Sequence, residues 1–133
     1  MTLNLLDTNT AIYFFKGQGK VAKRLLSCPP RSVALCSIVV YELRTGIAKS
    51  QEPTKRQSQL EELLQVVTFL PFAAPEARAA AEIRAGLEAK GTPIGPYDVL
   101  IAATALANNA TLVSRNLKEF RRIPGLHVVD WYD

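Results

Sequence analysis

A chain of 133 residues, 48% hydrophobic and 21% charged, has the composition of a single soluble domain and is long enough to bury a core without disulfides or a structural metal. No apolar run approaches the roughly 20 residues needed to cross a bilayer, and one histidine in the whole chain excludes ribonuclease chemistry by a histidine pair. Sixteen Lys and Arg against twelve Asp and Glu leave a net charge of +4, which favours a polyanionic partner without requiring one.

The first predicted element is a short apolar run, Leu3 to Leu6, that stops abruptly on Asp7. So short a run, bounded by turn formers, reads as a buried strand of a parallel sheet. Asp7 then lies at the strand's carboxyl end, where open α/β sheets bind their ligands. It is equally placed to cap the helix predicted over Thr8 to Phe15, and both readings stand at this point. A second short helix covers Val21 to Leu26, and Pro29-Pro30 closes the region.

Ser32 to Cys36 is the second predicted strand. Ser37 is a plausible cap for the helix Ile38 to Lys49, whose Val39, Leu43 and Ile47 form an inner stripe. Glu42 borders that stripe, and taken alone it reads as a solvated surface glutamate. Cys28 and Cys36 match no metal-site spacing, and with no signal peptide in view they are expected to be reduced thiols of a cytoplasmic protein. A polar loop over Ser50 to Pro53 precedes a helix from Thr54 to about Gln65, buried through Leu60, Leu63 and Leu64. Val66 to Phe72 is the third predicted strand, closed by Pro71. The next helix runs from Pro75 to Lys90, where Gly91 ends it.

The segment Gly91-Thr92-Pro93-Ile94-Gly95-Pro96-Tyr97-Asp98 is a stiff loop from which Pro96 opens a helix reaching about Asn108. Asp98 falls in the first turn, where the helix dipole favours a negative charge; stabilising the helix start is its structural reading. The following Val99 to Ala103 is apolar on almost every side, so the helix is buried and the acid at its mouth lies near the core. Asn108-Asn109 stops it, and Thr111 to Ser114 is a fourth strand. A polar cluster, Arg115 to Phe120, follows that strand's carboxyl end, with Arg121 and Arg122 beside it. His127 to Asp130 is a last short strand, and His127 reads as a surface residue.

Strand and helix alternate throughout, with no repeat or second domain, which predicts one α/β domain over residues 1–133. The expected architecture is three layers, α/β/α, around a central, mostly parallel sheet of four or five strands. Acids and amides recur where strands end and helices begin, at Asp7, Glu42, Asp98, Asn116 and Glu119, and right-handed crossovers gather such positions at one sheet edge. Carboxylates that repel one another call for a hard cation, Mg²⁺ with Mn²⁺ as a substitute. Arg115, Lys118, Arg121 and Arg122, close to the acids in sequence, are candidates for holding the phosphates of a polyanionic partner, a solvated helix face being the other reading.

Four segments carry a family resemblance: Leu5-Leu6-Asp7-Thr8-Asn9, Tyr41-Glu42-Leu43, the loop Gly91 to Asp98, and Asn116 to Leu126. In this order and spacing they resemble PIN-domain ribonucleases, and more narrowly the VapC toxins of bacterial type II toxin–antitoxin pairs, over essentially the whole chain. The resemblance implies a metal-dependent endoribonuclease in which Asp7, Glu42 and Asp98 hold the ion, Asn116 completes the catalytic set, and RNA is the polyanion that Arg115, Lys118, Arg121 and Arg122 would hold. The family often has aspartate at this fourth position; Asn116 removes one charge, which Glu119, one helical turn on, partly replaces. Thr8 and Asn9 are expected to support the acids through hydrogen bonds, and Ser114 stands where the family has a small hydroxyl residue. Also implied are a cognate VapB-like antitoxin, toxin homodimers within a hetero-oligomer, and, from enterobacterial-type members, initiator tRNA cut in its anticodon stem-loop. Ile12, Tyr13, Phe14 and Phe15 cannot all face one core and offer the antitoxin an apolar surface, the other reading being that some of them pack against the helix Thr54 to Gln65. Two rivals remain. A non-catalytic RNA-binding module on the same fold needs no ion at the acids, while a phosphatase of the haloacid type needs a second acid two residues after Asp7, where Asn9 stands.

Overall fold

The computed structural model describes residues 2–133. Five strands, β1 (Asn4–Leu6), β2 (Val33–Cys36), β3 (Thr68–Leu70), β4 (Thr111–Val113) and β5 (Val128–Val129), form one sheet in the order β3-β2-β1-β4-β5. Every pairing is parallel, with Leu5 opposite Ala34 on one side and Leu112 on the other. Helices flank the sheet: α1 (Thr8–Lys16), α2 (Val21–Leu26), α3 (Ser37–Ala48), α4 (Pro53–Val66), α5 (Ala74–Ala89), α6 (Pro96–Ala107) and α7 (Leu117–Phe120). Among the described residues, no helix is long and apolar enough to cross a membrane.

The central strands are uninterrupted apolar runs because a parallel sheet covered on both faces leaves no side for polar groups. Leu5, Leu6, Val33, Ala34, Leu35, Cys36, Leu112 and Val113 are fully buried, and Ile101 and Phe120 close over them. Each such Leu contributes about 1.5–3 kcal/mol by leaving water. As its sequence predicts, α6 is buried nearly all round, through Val99 and Ile101 to Ala105. It packs on α5, where small Ala80 and Ala103 let the two backbones approach. Asn108, at the end of α6, donates to Glu76 of α5 over 3.1 Å.

Several boundaries differ from the sequence reading. The third strand is Thr68–Leu70, not Val66 to Phe72: Val66 is still in the last turn of α4, and Pro71 has no N–H to continue the ladder. Ser37 is not the cap of α3 but its first residue. Its hydroxyl instead accepts the Phe72 N–H at 3.2 Å, tying the end of β3 to the start of α3. The last strand shortens to Val128–Val129, and a one-turn helix, α7, emerges inside the polar cluster after β4.

The topology locates the crevice. From β1 the chain moves outward to β2 and β3, then crosses back to β4 and β5 on the opposite side. The strand order therefore reverses between β1 and β4, and at such a reversal the crossing helices diverge, opening a cleft beyond the carboxyl ends of the strands. Asp7 directly follows β1, and Ser114 directly follows β4.

Candidate active site

Asp7 is fixed at that reversal from three directions. Its N–H donates to Val113 O at 3.1 Å, which extends the ladder between β1 and β4 by one bond. Its carbonyl accepts from the Ala11 N–H, and its Oδ1 accepts from the Thr10 N–H at 2.8 Å. Asp7 is therefore both the N-cap of α1 and an acid facing the crevice; the two sequence readings are not exclusive. With 7% of its surface exposed, burial raises its pKa, opposed by the neighbouring Ser114 hydroxyl and by the hydrogen bond from the Thr10 N–H. Ser114 is itself buried, and its Oγ also accepts the Asn116 N–H at 2.9 Å.

Glu42 lies midway along α3 and is half-buried. Thr8 Oγ1 donates to its Oε1 over 2.5 Å, joining α1 to α3 beside Asp7. Thr8 thus contacts one of the acids directly. Asn9 differs: its side chain is exposed and makes no hydrogen bond among the described residues. The equivalent work falls to Thr10, whose Oγ1 donates to Val113 O at 3.1 Å. Sequence reasoning missed Thr10, although an acid followed three residues later by a helix-opening hydroxyl residue was a usable signal.

Asp98 stands in the first turn of α6, behind Gly95 and Pro96. A Cβ on Gly95 would lie 3.7 Å from its Oδ2, so the carboxylate folds back over the loop. Its pKa is pushed up to about 6, first by burial and then by the negative charges of Asp7, Glu119 and Glu42. That effect places four carboxylates from four separate segments within electrostatic reach of one another. Glu119, half-buried in α7, belongs to this group. Asn116 caps α7, and its side chain makes no hydrogen bond among the described residues.

The donor set suits a hard dication, since carboxylate oxygens and one amide are the ligands such ions prefer. The fit is one of charge and donor type: among the described residues, no three His, Cys, Asp or Glu side chains are already gathered into a metal-holding group.

The basic residues divide into two groups. The Arg115 guanidinium lies 3.7 Å from the centroid of the Tyr132 ring and 3.6 Å from Asp133, so it is engaged within the chain's own carboxyl-terminal segment. Arg122 donates to Pro93 O at 3.3 Å, bracing the loop that leads to Asp98. Lys118 and Arg121 are exposed.

The four apolar residues of α1 also part company. Ile12 and Phe15 line a groove of about 300 Å³ that is bordered by Glu42, Leu43, Gly46 and Ile47 of α3. Phe14 and Phe15 face Leu25, Leu26 and Leu63 in a second groove, while Tyr13 meets the Tyr132 ring edge-on at 4.9 Å.

A parallel five-stranded α/β domain with acids at its strand-order reversal is the plan of the PIN domain, and that family's profile, described as "PIN domain", matches residues 5–126. The chain is 40% identical over 129 residues to the "Ribonuclease VapC2" of Rickettsia felis, with 96% of each chain covered. It is 35% identical over 127 residues to the "tRNA(fMet)-specific endonuclease VapC" of Salmonella typhimurium, again with 96% of each covered. In three dimensions it superposes with a TM-score of 0.89 and 37% identity on a chain of the Rickettsia felis VapBC2 complex bound to a DNA fragment from its promoter, covering 98% of this chain and 99% of that one. The chain belongs to the PIN-domain family, within its VapC group.

Proposed function

We propose that the chain is the toxin of a type II toxin–antitoxin pair, an endoribonuclease that hydrolyses RNA phosphodiester bonds with the help of Mg²⁺, Mn²⁺ serving as a substitute. One observation carries the reading: Asp7, buried at the strand-order reversal, stands with Glu42, Asp98 and Glu119 from three other segments, close enough for their charges to repel. Buried like charges are costly to assemble, and a cation-dependent task is the usual reason for keeping them. Asp7, Glu42 and Asp98 would hold the ion, with Asn116 as a neutral oxygen donor beside them. Bound there, the ion would supply an activated water and neutralise charge developing on the phosphodiester.

The chain's own groups set the geometry. Thr10 and Ser114 fix Asp7, and Thr8 orients Glu42. Lys118 and Arg121 are exposed and free to meet phosphates; Arg115 and Arg122 would first have to leave their partners in the chain. The Salmonella typhimurium relative is named for tRNA(fMet), which makes initiator tRNA the first substrate to assay.

A VapB-like antitoxin is the proposed partner, in a hetero-oligomer built on toxin dimers, because the similar structures are toxin–antitoxin complexes. An amphipathic segment of that antitoxin would lie in the groove of Ile12, Phe15, Leu43 and Ile47, which opens beside Glu42, and send a basic side chain to the acids.

Purified protein should cut RNA in Mg²⁺, stop in excess chelator, and be silenced by the co-purified antitoxin. Equal cutting with and without chelator would rule out the ion. Tight RNA binding without any cleavage would instead identify a non-catalytic module.

A further inference from the structure

Tyr41 and Tyr97 are the two residues that immediately precede the acids Glu42 and Asp98. They come from different helices, α3 and α6, yet their rings meet edge to face, with centroids 5.7 Å apart and planes at 63°. Their hydroxyls are 3.4 Å apart, and either could be the donor. Both side chains stay open to solvent, Tyr41 at 53% and Tyr97 at 45%, although large aromatic rings ordinarily gain about 1 kcal/mol or more by burial. A pair that merely clamped α3 to α6 would be expected to sink between them.

The location narrows what such a shelf could hold. The two tyrosines directly precede Glu42 and Asp98, so the pair stands beside the acid cluster and within its field. That field repels a polyanion. A nucleic acid entering here needs an attraction other than charge beside the acids, and unpaired bases supply one by stacking on aromatic faces. Lys118 and Arg121 lie in and after α7, a different segment, and are suited to phosphates.

We infer that Tyr41 and Tyr97 form a stacking shelf for an unpaired base of the RNA next to the scissile phosphate. The inference rests on the ribonuclease reading of the acid cluster and adds to it a binding surface for single-stranded RNA. It assigns the rings, not the hydroxyls, the work of holding substrate.

The test is a fluorescence titration of the intact protein, in chelator, against a short single-stranded oligoribonucleotide carrying one 2-aminopurine, whose emission is quenched on stacking. Wild type should quench it. Tyr41→Leu and Tyr97→Leu should weaken binding about tenfold, the range of one lost base–aromatic stack, and raise KM for cleavage with kcat little changed. Tyr41→Phe and Tyr97→Phe should bind as wild type. Melting curves and sedimentation of each variant accompany the titration. Absence of quenching, Leu variants that bind normally, Phe variants as damaged as Leu, or Leu variants that lose dimerisation along with binding would each overturn the shelf. Cleavage that persists with unaltered KM in the Leu variants would overturn the shelf and leave the ribonuclease reading intact. Quenching by a protein that cuts no RNA under any divalent ion would overturn the ribonuclease reading and with it the shelf's place beside a scissile phosphate.

Discussion

Thr8 and Glu42 are joined by a 2.5 Å hydrogen bond across 34 residues of sequence, from the first turn of α1 to the middle of α3. Glu42 is the acid with the weakest claim from sequence, and this bond is what directs it to the site. The hydroxyl takes up one carboxylate oxygen and leaves the other for the crevice. Thr8→Val keeps the shape and removes the donor. The expected result is an unchanged fold with the Mg²⁺ requirement for RNA cleavage raised about tenfold, the low end of what loss of an orienting partner costs. Thr8→Ser should restore it. A Mg²⁺ titration of cleavage rate decides, and a Val variant with the wild-type requirement would refute the role.

Asp7→Asn and Asp98→Asn should each lower cleavage by at least about a hundredfold, because each removes a charge from the side chains proposed to hold the ion. Asn116→Ala should cost less, since a neutral donor contributes less than a carboxylate. Cleavage of initiator tRNA and growth inhibition on induction both report this. An Asp98→Asn protein with wild-type toxicity would end the metal mechanism.

Much of this arrangement is legible in the sequence, and the reasons are specific. β1, β2 and β4 are recognisable because a doubly covered parallel strand must be apolar at every position, as Val33 to Cys36 are. Asp98 is recognisable because Pro96 fixes the start of α6 and the apolar run after it fixes its depth. β3 and β5 are blurred because edge strands pair on one side only. Thr10, Ser37 and the ring pair of Tyr41 and Tyr97 escape local reading because their partners, Val113, Phe72 and one another, are 103, 35 and 56 residues away. The contact of Arg115 with the Tyr132 ring is equally hidden, because Tyr132 lies in a separate segment near the far end of the chain.

The carboxyl-terminal segment offers a clean comparison of backbone and packing costs. Gly17 and Gly19 both have positive φ, +66° and +63°. A Cβ on Gly17 would meet nothing within 4 Å, whereas one on Gly19 would lie 2.6 Å from Tyr132 Cγ and 2.8 Å from Tyr132 O. Gly17→Ala should therefore cost only the left-handed backbone penalty, about 1–2 kcal/mol. Gly19→Ala should cost that plus about 1–3 kcal/mol of overpacking, since it displaces the carbonyl that accepts the Lys20 N–H. Urea unfolding of the two variants measures the difference, and equal losses would show that the segment moves aside freely.

The acid cluster should also leave its mark on stability without any ion. Asp98 has a folded pKa of about 6 against 3.8 for an ordinary aspartate. Between those values the unfolded chain has already released this proton while the folded chain still holds it. The folded state binds more protons across the window, so stability falls as pH rises through it, the reverse of an aspartate held in a salt bridge. Asp7, also raised by burial, works in the same direction. In chelator these two groups should raise the melting temperature at about pH 5 relative to about pH 8. Asp98→Asn should flatten the profile and, at the alkaline end, stabilise the protein by about 1–2 kcal/mol, the full shift being discounted because the side chain is only half-buried. Stability assays cannot be confused with loss of activity here, since the variant proposed to be catalytically dead is also the one expected to be more stable. A metal-free Asp98→Asn protein less stable than wild type at alkaline pH would mean that the carboxylate is held by a favourable partner, and the repulsive cluster would have to be given up.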